Sequence, residues 1–114
     1  MSMDLEVWSE NPFNLETMLI ESNKWEKFGD EWAYEGNGWQ VLINIEESND
    51  SSDSVQSFLP SPNYVAFISL EPIGADSSGY LFLEKTIRGL AKESNGVWVD
   101  PNGEAFRPGE GTFE

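Results

Sequence analysis

Carboxylates are the side chains of this sequence best suited to chemistry, because the 114-residue chain contains neither histidine nor cysteine. It therefore lacks the commonest general base at neutral pH, a thiolate nucleophile and the commonest metal ligands. Aspartate and glutamate number 21 against 6 lysines and arginines, which gives a formal net charge of −15. The spacing of the carboxylates decides which chemistry remains open to the chain.

The segment DPNGE is the best candidate for a metal site, since Asp100, Asn102 and Glu104 stand at alternate positions beside a glycine. An EF-hand loop, however, requires glycine at its sixth position and an acid at its twelfth. This chain has Ala105 and Gly111 at those two positions. Proline followed by Asn-Gly is typical of an ordinary turn. We predict a turn here and no metal site.

The adjacent carboxylate pairs, Asp30 with Glu31 and Glu46 with Glu47, do not form a catalytic pair, because neighbouring residues of a strand point to opposite faces. The segment EPIGADSSG has glycines before a helix but lacks the lysine and the spacing of a phosphate-binding loop. We therefore expect no catalytic residue and no cofactor, and a protein that is not an enzyme.

The acidity of the chain makes some partners improbable. Phosphate backbones and anionic membranes would be repelled, so we expect neither nucleic acid nor membrane as a partner. The first 63 residues hold 13 acids and 2 bases, so the charge is concentrated in the first half. Neither a secretory signal nor an apolar stretch of membrane-spanning length is evident, and we expect a cytoplasmic protein.

Hydrophobic periodicity predicts the element order β-α-β-β-loop-β-α-β. MDLEVW alternates as a half-buried strand does, and WAYEGNGWQVLINIE predicts a hairpin that turns at Glu35–Gly38. YVAFISLEP predicts a central strand buried on both faces. Residues 76–93 predict the longest helix, with Gly96, after Asn95, as its left-handed stop and with an apolar core stripe of Tyr80, Leu83, Ile87, Leu90 and Ala91. This order predicts an α+β ferredoxin-like sandwich, with one mainly antiparallel sheet of four to five strands and two helices on one face.

The remaining segments complete a single domain over residues 1–114. Residues 46–63 are rich in serine, aspartate and proline and predict an exposed loop, with one helical turn from Val55 to Leu59, and residues 105–114 predict a tail. Lys85, Arg88 and Lys92 share one helical stripe that we expect to face solvent. Five tryptophans exceed what so small a domain can bury completely, and Trp25, beside Lys24, is our candidate for an exposed anchor.

The run YVAFISLEPIGADSSGYLFLEKTIRGLAKESNGVWVDPNGE, together with WEKFGDEWAYEGNGWQVLINIEE, resembles small bacterial ferredoxin-like proteins of the polymorphic-toxin immunity type. The resemblance is best over residues 64–104. It implies a non-enzymatic binding protein encoded beside a toxin, and it carries no catalytic residues with it. An acidic member of such a group suits a basic, nuclease-like toxin.

These observations predict an acidic protein-binding domain, an immunity-type inhibitor whose carboxylates occlude a cationic active site. Two alternatives remain: a structural or regulatory domain that forms a homodimer through an open sheet face, and a small carboxylate-dependent enzyme. The residues that we expect to contact the partner are Trp25, Asp30, Glu31, Glu35, Glu46 and Glu47.

Overall fold

The computed structural model describes residues 3–19, 24–71 and 77–113, and this part of the chain forms one seven-stranded sheet with three helices. The class is α+β, as the sequence predicts. The elements in chain order are β1 (Met3–Ser9), α1 (Leu15–Met18), β2 (Glu26–Phe28), β3 (Glu31–Glu35), β4 (Gln40–Glu47), α2 (Asp53–Gln56), β5 (Tyr64–Glu71), α3 (Ser77–Glu93), β6 (Val97–Val99) and β7 (Ala105–Phe106).

The strands lie in the order β2-β3-β4-β5-β1-β6-β7, and every neighbouring pair is antiparallel. The predicted number of four to five strands is therefore too small. The two additional strands, β2 and β7, are three and two residues long and lie at the two edges of the sheet. Strands so short are too brief to give a recognisable alternation of apolar and polar residues.

One face of the sheet, which we call the helix face, is covered by α3 and α1. Alternate residues of the central strands point toward α3, whose buried residues include Leu83, Ile87 and Leu90. The predicted apolar stripe of this helix is thus confirmed. The register places Val7 opposite Ala66 and Trp98, so the three central strands contribute to one core.

The opposite face is covered over part of its area by α2, which corrects two predictions. The predicted helical turn is present as α2, but Val55 and Leu59 are buried against Trp8 and Val65, so this part of the segment predicted as an exposed loop belongs to a second small core. The side chain of Ser52 accepts a hydrogen bond from the backbone N–H of Val55 and caps the helix. The described helices therefore lie on both faces rather than on one.

The hairpin at Glu35–Gly38 is confirmed, with Tyr34 paired to Val41 across β3 and β4. The predicted helix of residues 76–93 is confirmed from Ser77 to Glu93, while residue 76 lies outside the described residues. Within the described part of the chain, no helix combines the length and the apolar character needed to span a membrane.

The end of α3 corrects the predicted role of Gly96. The left-handed residue is Asn95, with φ of 57°, and the backbone N–H of Gly96 bonds to the carbonyl of Ala91 at 2.7 Å. This is the Schellman arrangement, in which asparagine can replace glycine. Gly96 is required for space instead, because a Cβ atom there would lie 2.1 Å from the backbone oxygen of Trp8.

Arg88 holds the C-terminal segment against the sheet, although we expected it to face solvent and residues 105–114 to be a tail. Its guanidinium donates to the carbonyls of Pro108, Glu110 and Gly111 and pairs with Glu84 at 2.9 Å. It also lies 5.2 Å from the ring centroid of Trp98, which contacts Phe106 and Phe113. The segment is therefore packed, and Arg88 is a structural residue.

We expect Arg88→Ala to lower the free energy of unfolding by about 2–3 kcal/mol, because hydrogen bonds from a charged donor contribute about that much. The carbonyls of Pro108 and Gly111 lose the guanidinium donor, while that of Glu110 keeps the indole N–H of Trp98. Urea denaturation measures this change. Lys92→Ala is the matched control on the same helix; the lysine is exposed, so the change should stay within about 0.5 kcal/mol. Equal effects of the two substitutions would contradict the role given to Arg88.

Candidate protein-binding surface

The residues that first suggested a metal form a turn. The carboxylate of Asp100 accepts hydrogen bonds from the backbone N–H groups of Asn102 and Glu104, each at 2.9 Å. Gly103 follows with φ of +85° and donates its N–H to the Asp100 carbonyl. The predicted turn is confirmed, and the Asp100 side chain stabilises it by accepting hydrogen bonds from the backbone. Among the described residues, the structure contains no group of three or more acidic side chains arranged to hold a metal ion.

A large part of the sheet opposite the helix face is left uncovered by α2, and we call this area the open face. Its residues alternate along β2, β3, β4, β5 and β1, and none of them is buried. They are Asp4, Glu6, Glu26, Phe28, Glu31, Ala33, Glu35, Gln40, Leu42, Asn44, Glu46, Phe67, Ser69 and Glu71. The open face is thus continuous over five neighbouring strands.

Apolar side chains lie among the carboxylates of the open face. Phe67 on β5 is 38% exposed, and Phe28 on the edge strand β2 is 60% exposed. Leu42 on β4 is half-buried and lies opposite Ser69, two residues along β5 from Phe67. A hollow of about 390 Å³ surrounds Phe67 and is bordered by Asp4 and Glu6. An exposed aromatic ring within a polar border is a common feature of protein-binding surfaces.

The carboxylates of the open face are arranged so that no acid lies directly opposite another acid. Across the strands Asp4 pairs with Ser69, Glu6 with Phe67 and Glu35 with Gln40. The same holds for Glu26, Glu31, Glu46 and Glu71. Like charges directly opposite each other destabilise a sheet, so this register lets the face carry many acids.

Neutral donors orient several of these carboxylates. The indole N–H of Trp8 donates to Glu6 at 2.8 Å, and the amide of Asn44 donates to Glu31 at 3.1 Å. The described strands contain one basic residue, Lys27, and its position in the register places it on the helix face beside Trp32. The described strands therefore place no basic residue on the open face.

The structure brings together three of the predicted contact residues, since Glu31, Glu35 and Glu46 all lie on the open face. Glu47 points to the opposite face, where it pairs with Tyr64. Asp30 lies in the turn between β2 and β3 and borders a different hollow, of about 350 Å³. The predicted set is thus divided between two faces, as the alternation of a strand requires.

Trp25 is not an exposed anchor, which corrects the prediction. Its side chain is 7% exposed and packs against Tyr34 and Phe82, with ring centroids 5.4 and 5.9 Å away. Trp25 lies beside lysines in the sequence, but these aromatic partners from β3 and α3 cover it. Four of the five tryptophans are buried, and Trp32 is half-buried.

Asp4, Glu6 and Phe67 are among the residues of the open face that sequence reasoning missed. The signal for the first two was present, because they alternate with the buried Leu5 and Val7 along β1. Phe67 lies in a strand that we predicted to be buried on both faces, and its exposure depends on where α2 ends. No local pattern in the sequence indicates where α2 ends.

The open face is suited to binding cations. Carboxylates accept charge-assisted hydrogen bonds from ammonium and guanidinium groups, and an aromatic ring attracts a cation placed over it. The face is broad and its hollow is small, which fits a protein surface better than a buried small molecule. Comparisons with models of protein families, with curated proteins and with solved structures find no match for this chain.

Trp25→Ala and Phe67→Ala should differ strongly in stability. The first removes a buried aromatic side chain and should lower the free energy of unfolding by about 3–5 kcal/mol. The second removes a partly exposed ring from the open face and should cost about 1 kcal/mol or less. Thermal or urea unfolding of both variants compares the two costs. If Trp25→Ala proved the milder substitution, the packing given for Trp25 would be wrong.

Proposed function

We propose that this chain is a non-enzymatic, immunity-type inhibitor that binds a cationic toxin through the open face. The observation that carries the proposal is the continuous acidic surface around Phe67, on which the described strands place no base. A basic active site, such as that of a nuclease, offers the complementary charge. Carboxylates of the inhibitor would pair with the lysines and arginines that the toxin uses to hold its substrate.

Inhibition by occlusion requires both attraction and close contact. The net charge of −15 would speed the encounter with a cationic partner, because exposed charges act over about a Debye length, ~8 Å at physiological salt. Phe67 and Leu42 would then exclude water at the centre of the contact, where a few side chains contribute most of the binding energy. Charge would set the association rate, and the apolar centre would set the dissociation rate.

The proposal includes a finer description of the fold. The four central strands β6-β1-β5-β4, with α3 connecting β5 to β6, follow the strand arrangement of a ferredoxin-like sandwich. In this description β2, β3 and β7 extend both edges, and α2 is an addition on the second face. A bacterial, cytoplasmic protein encoded beside its toxin fits this proposal.

The open face favours a cationic partner over a second copy of the same chain. In a twofold dimer through this face, the same carboxylates would meet across the interface and repel one another. An enzyme would require a polar pocket in which catalytic groups converge on a bound substrate. The hollow beside Phe67 instead presents carboxylates, an amide and a hydroxyl along a sheet surface.

The test is surface plasmon resonance against the product of the neighbouring gene. We expect Asp4→Asn, Glu6→Gln, Glu31→Gln and Glu46→Gln, combined in one variant, to lower the association rate about tenfold at low salt, where steering is strongest. Phe67→Ala should mainly raise the dissociation rate.

The matched control combines Glu16→Gln, Glu47→Gln, Asp53→Asn and Glu104→Gln, which changes the net charge equally but leaves the open face intact. Its association rate should fall much less. Equal effects of the two variants would mean that only the total charge matters. Tight binding that no open-face substitution affects would place the contact elsewhere and refute the proposal.

A further inference from the structure

The outer side of α3 forms a second surface that the proposed function does not use. A groove of about 740 Å³ runs along this helix, with Met18 and Leu19 on one side and Pro108 on the other. Leu81 lines the groove and is 56% exposed, although it is a large apolar residue. Because α3 covers the helix face, this surface and the open face lie on opposite sides of the sheet.

Gly89 lines the groove and lies four residues before the end of the 17-residue helix. Glycine is less favourable than alanine inside a helix, because its backbone loses more freedom on folding. Among the described residues, nothing would lie within 4 Å of a Cβ atom at this position, so their packing does not require glycine there. A glycine on a helix surface does allow another backbone to approach closely.

Lys85, Lys92 and Glu93 are the exposed charged residues that line the groove around Gly89, and two of them, Lys85 and Glu93, are complementary to each other under twofold symmetry. Lys85 precedes Gly89 by four residues and Glu93 follows it by four, and both side chains are exposed. If two antiparallel copies of α3 crossed at Gly89, Lys85 of each copy would lie level with Glu93 of the other. A twofold axis would thus produce two equivalent ion pairs.

The same twofold arrangement would bring the exposed Leu81 to a hollow on the second copy. Leu81 lies eight residues before Gly89, about 12 Å along the helix, and its counterpart position in the second copy is beyond the end of α3. A hollow of about 320 Å³ lies there, lined by residues that include Phe58, Leu59, Val97 and Pro108. An apolar side chain inserted into this hollow would lose its contact with water.

We propose that the outer side of α3 binds a second copy of this chain in a twofold, antiparallel dimer centred on Gly89. The two open faces point away from this interface, so the dimer does not depend on the proposed inhibitor function. Repulsion between two chains of net charge −15 opposes the dimer over long distances. Physiological salt screens that repulsion beyond about 8 Å and leaves the short contacts in place.

Sedimentation equilibrium of the full chain at physiological salt tests the dimer by charge exchange. Lys85→Glu and Glu93→Lys should each raise the dissociation constant of the dimer by about tenfold or more, since each creates two like-charged contacts. The double variant should bring the dissociation constant back to within about threefold of that of the original chain, because both pairs are re-formed with reversed sign. Lys27→Glu is the control, because it makes the same charge change as Lys85→Glu on β2, outside the residues that line the groove.

Gly89→Ala separates the interface from the fold. It should raise the melting temperature of the monomer, because alanine favours the helix and meets open space. It should also weaken the dimer, because the helices can no longer approach as closely. A chain that stays monomeric up to its highest soluble concentration would overturn the proposal. So would a double charge exchange that fails to restore the dimer, or a dimer lost on Phe67→Ala instead.

Discussion

Burial of one face of the sheet beneath α3 is the constraint on which the rest of the structure depends. Leu5 and Val7 of β1 and Ile68 of β5 are all buried on that face. Because side chains alternate with a period of two, this assignment sends Glu6 and Phe67 to the other face. The acidic open face is therefore a geometric consequence of the core. A register shift of one residue would bury the carboxylates.

The same constraint explains how the sheet tolerates its charge. Its carboxylates face neutral partners across the strands, and α2 covers the area over β6, where Val97 and Val99 replace the acids. The acids and the apolar cover thus occupy separate areas of one face. A polar partner can approach the first area without competing with α2. The carboxylates and the apolar residues beneath α2 are thus separated on the same face of the sheet.

Local patterns in the sequence predict β1, the hairpin of β3 and β4, and α3, because each has a clear period or a clear turn. They also predict three carboxylates of the open face. What they miss depends on tertiary contacts. Trp25 is buried by Tyr34 on β3 and by Phe82, which is distant in the sequence, and Arg88 donates to carbonyls about twenty residues later in the chain. Short edge strands such as β2 likewise form because a neighbouring strand is already in place.

The two proposed surfaces impose different demands on one helix and one sheet. In the proposed function the open face would act through charge, so its carboxylates must remain accessible to the partner. In the proposed dimer the outer side of α3 would act through close approach at Gly89 and through the pairs of Lys85 with Glu93, and the glycine costs helix stability relative to alanine. Because the surfaces lie on opposite sides of the sheet, a dimer would present two acidic faces pointing outward. Each could then bind a cationic partner without displacing the other copy, and the doubled charge would strengthen the attraction at long range.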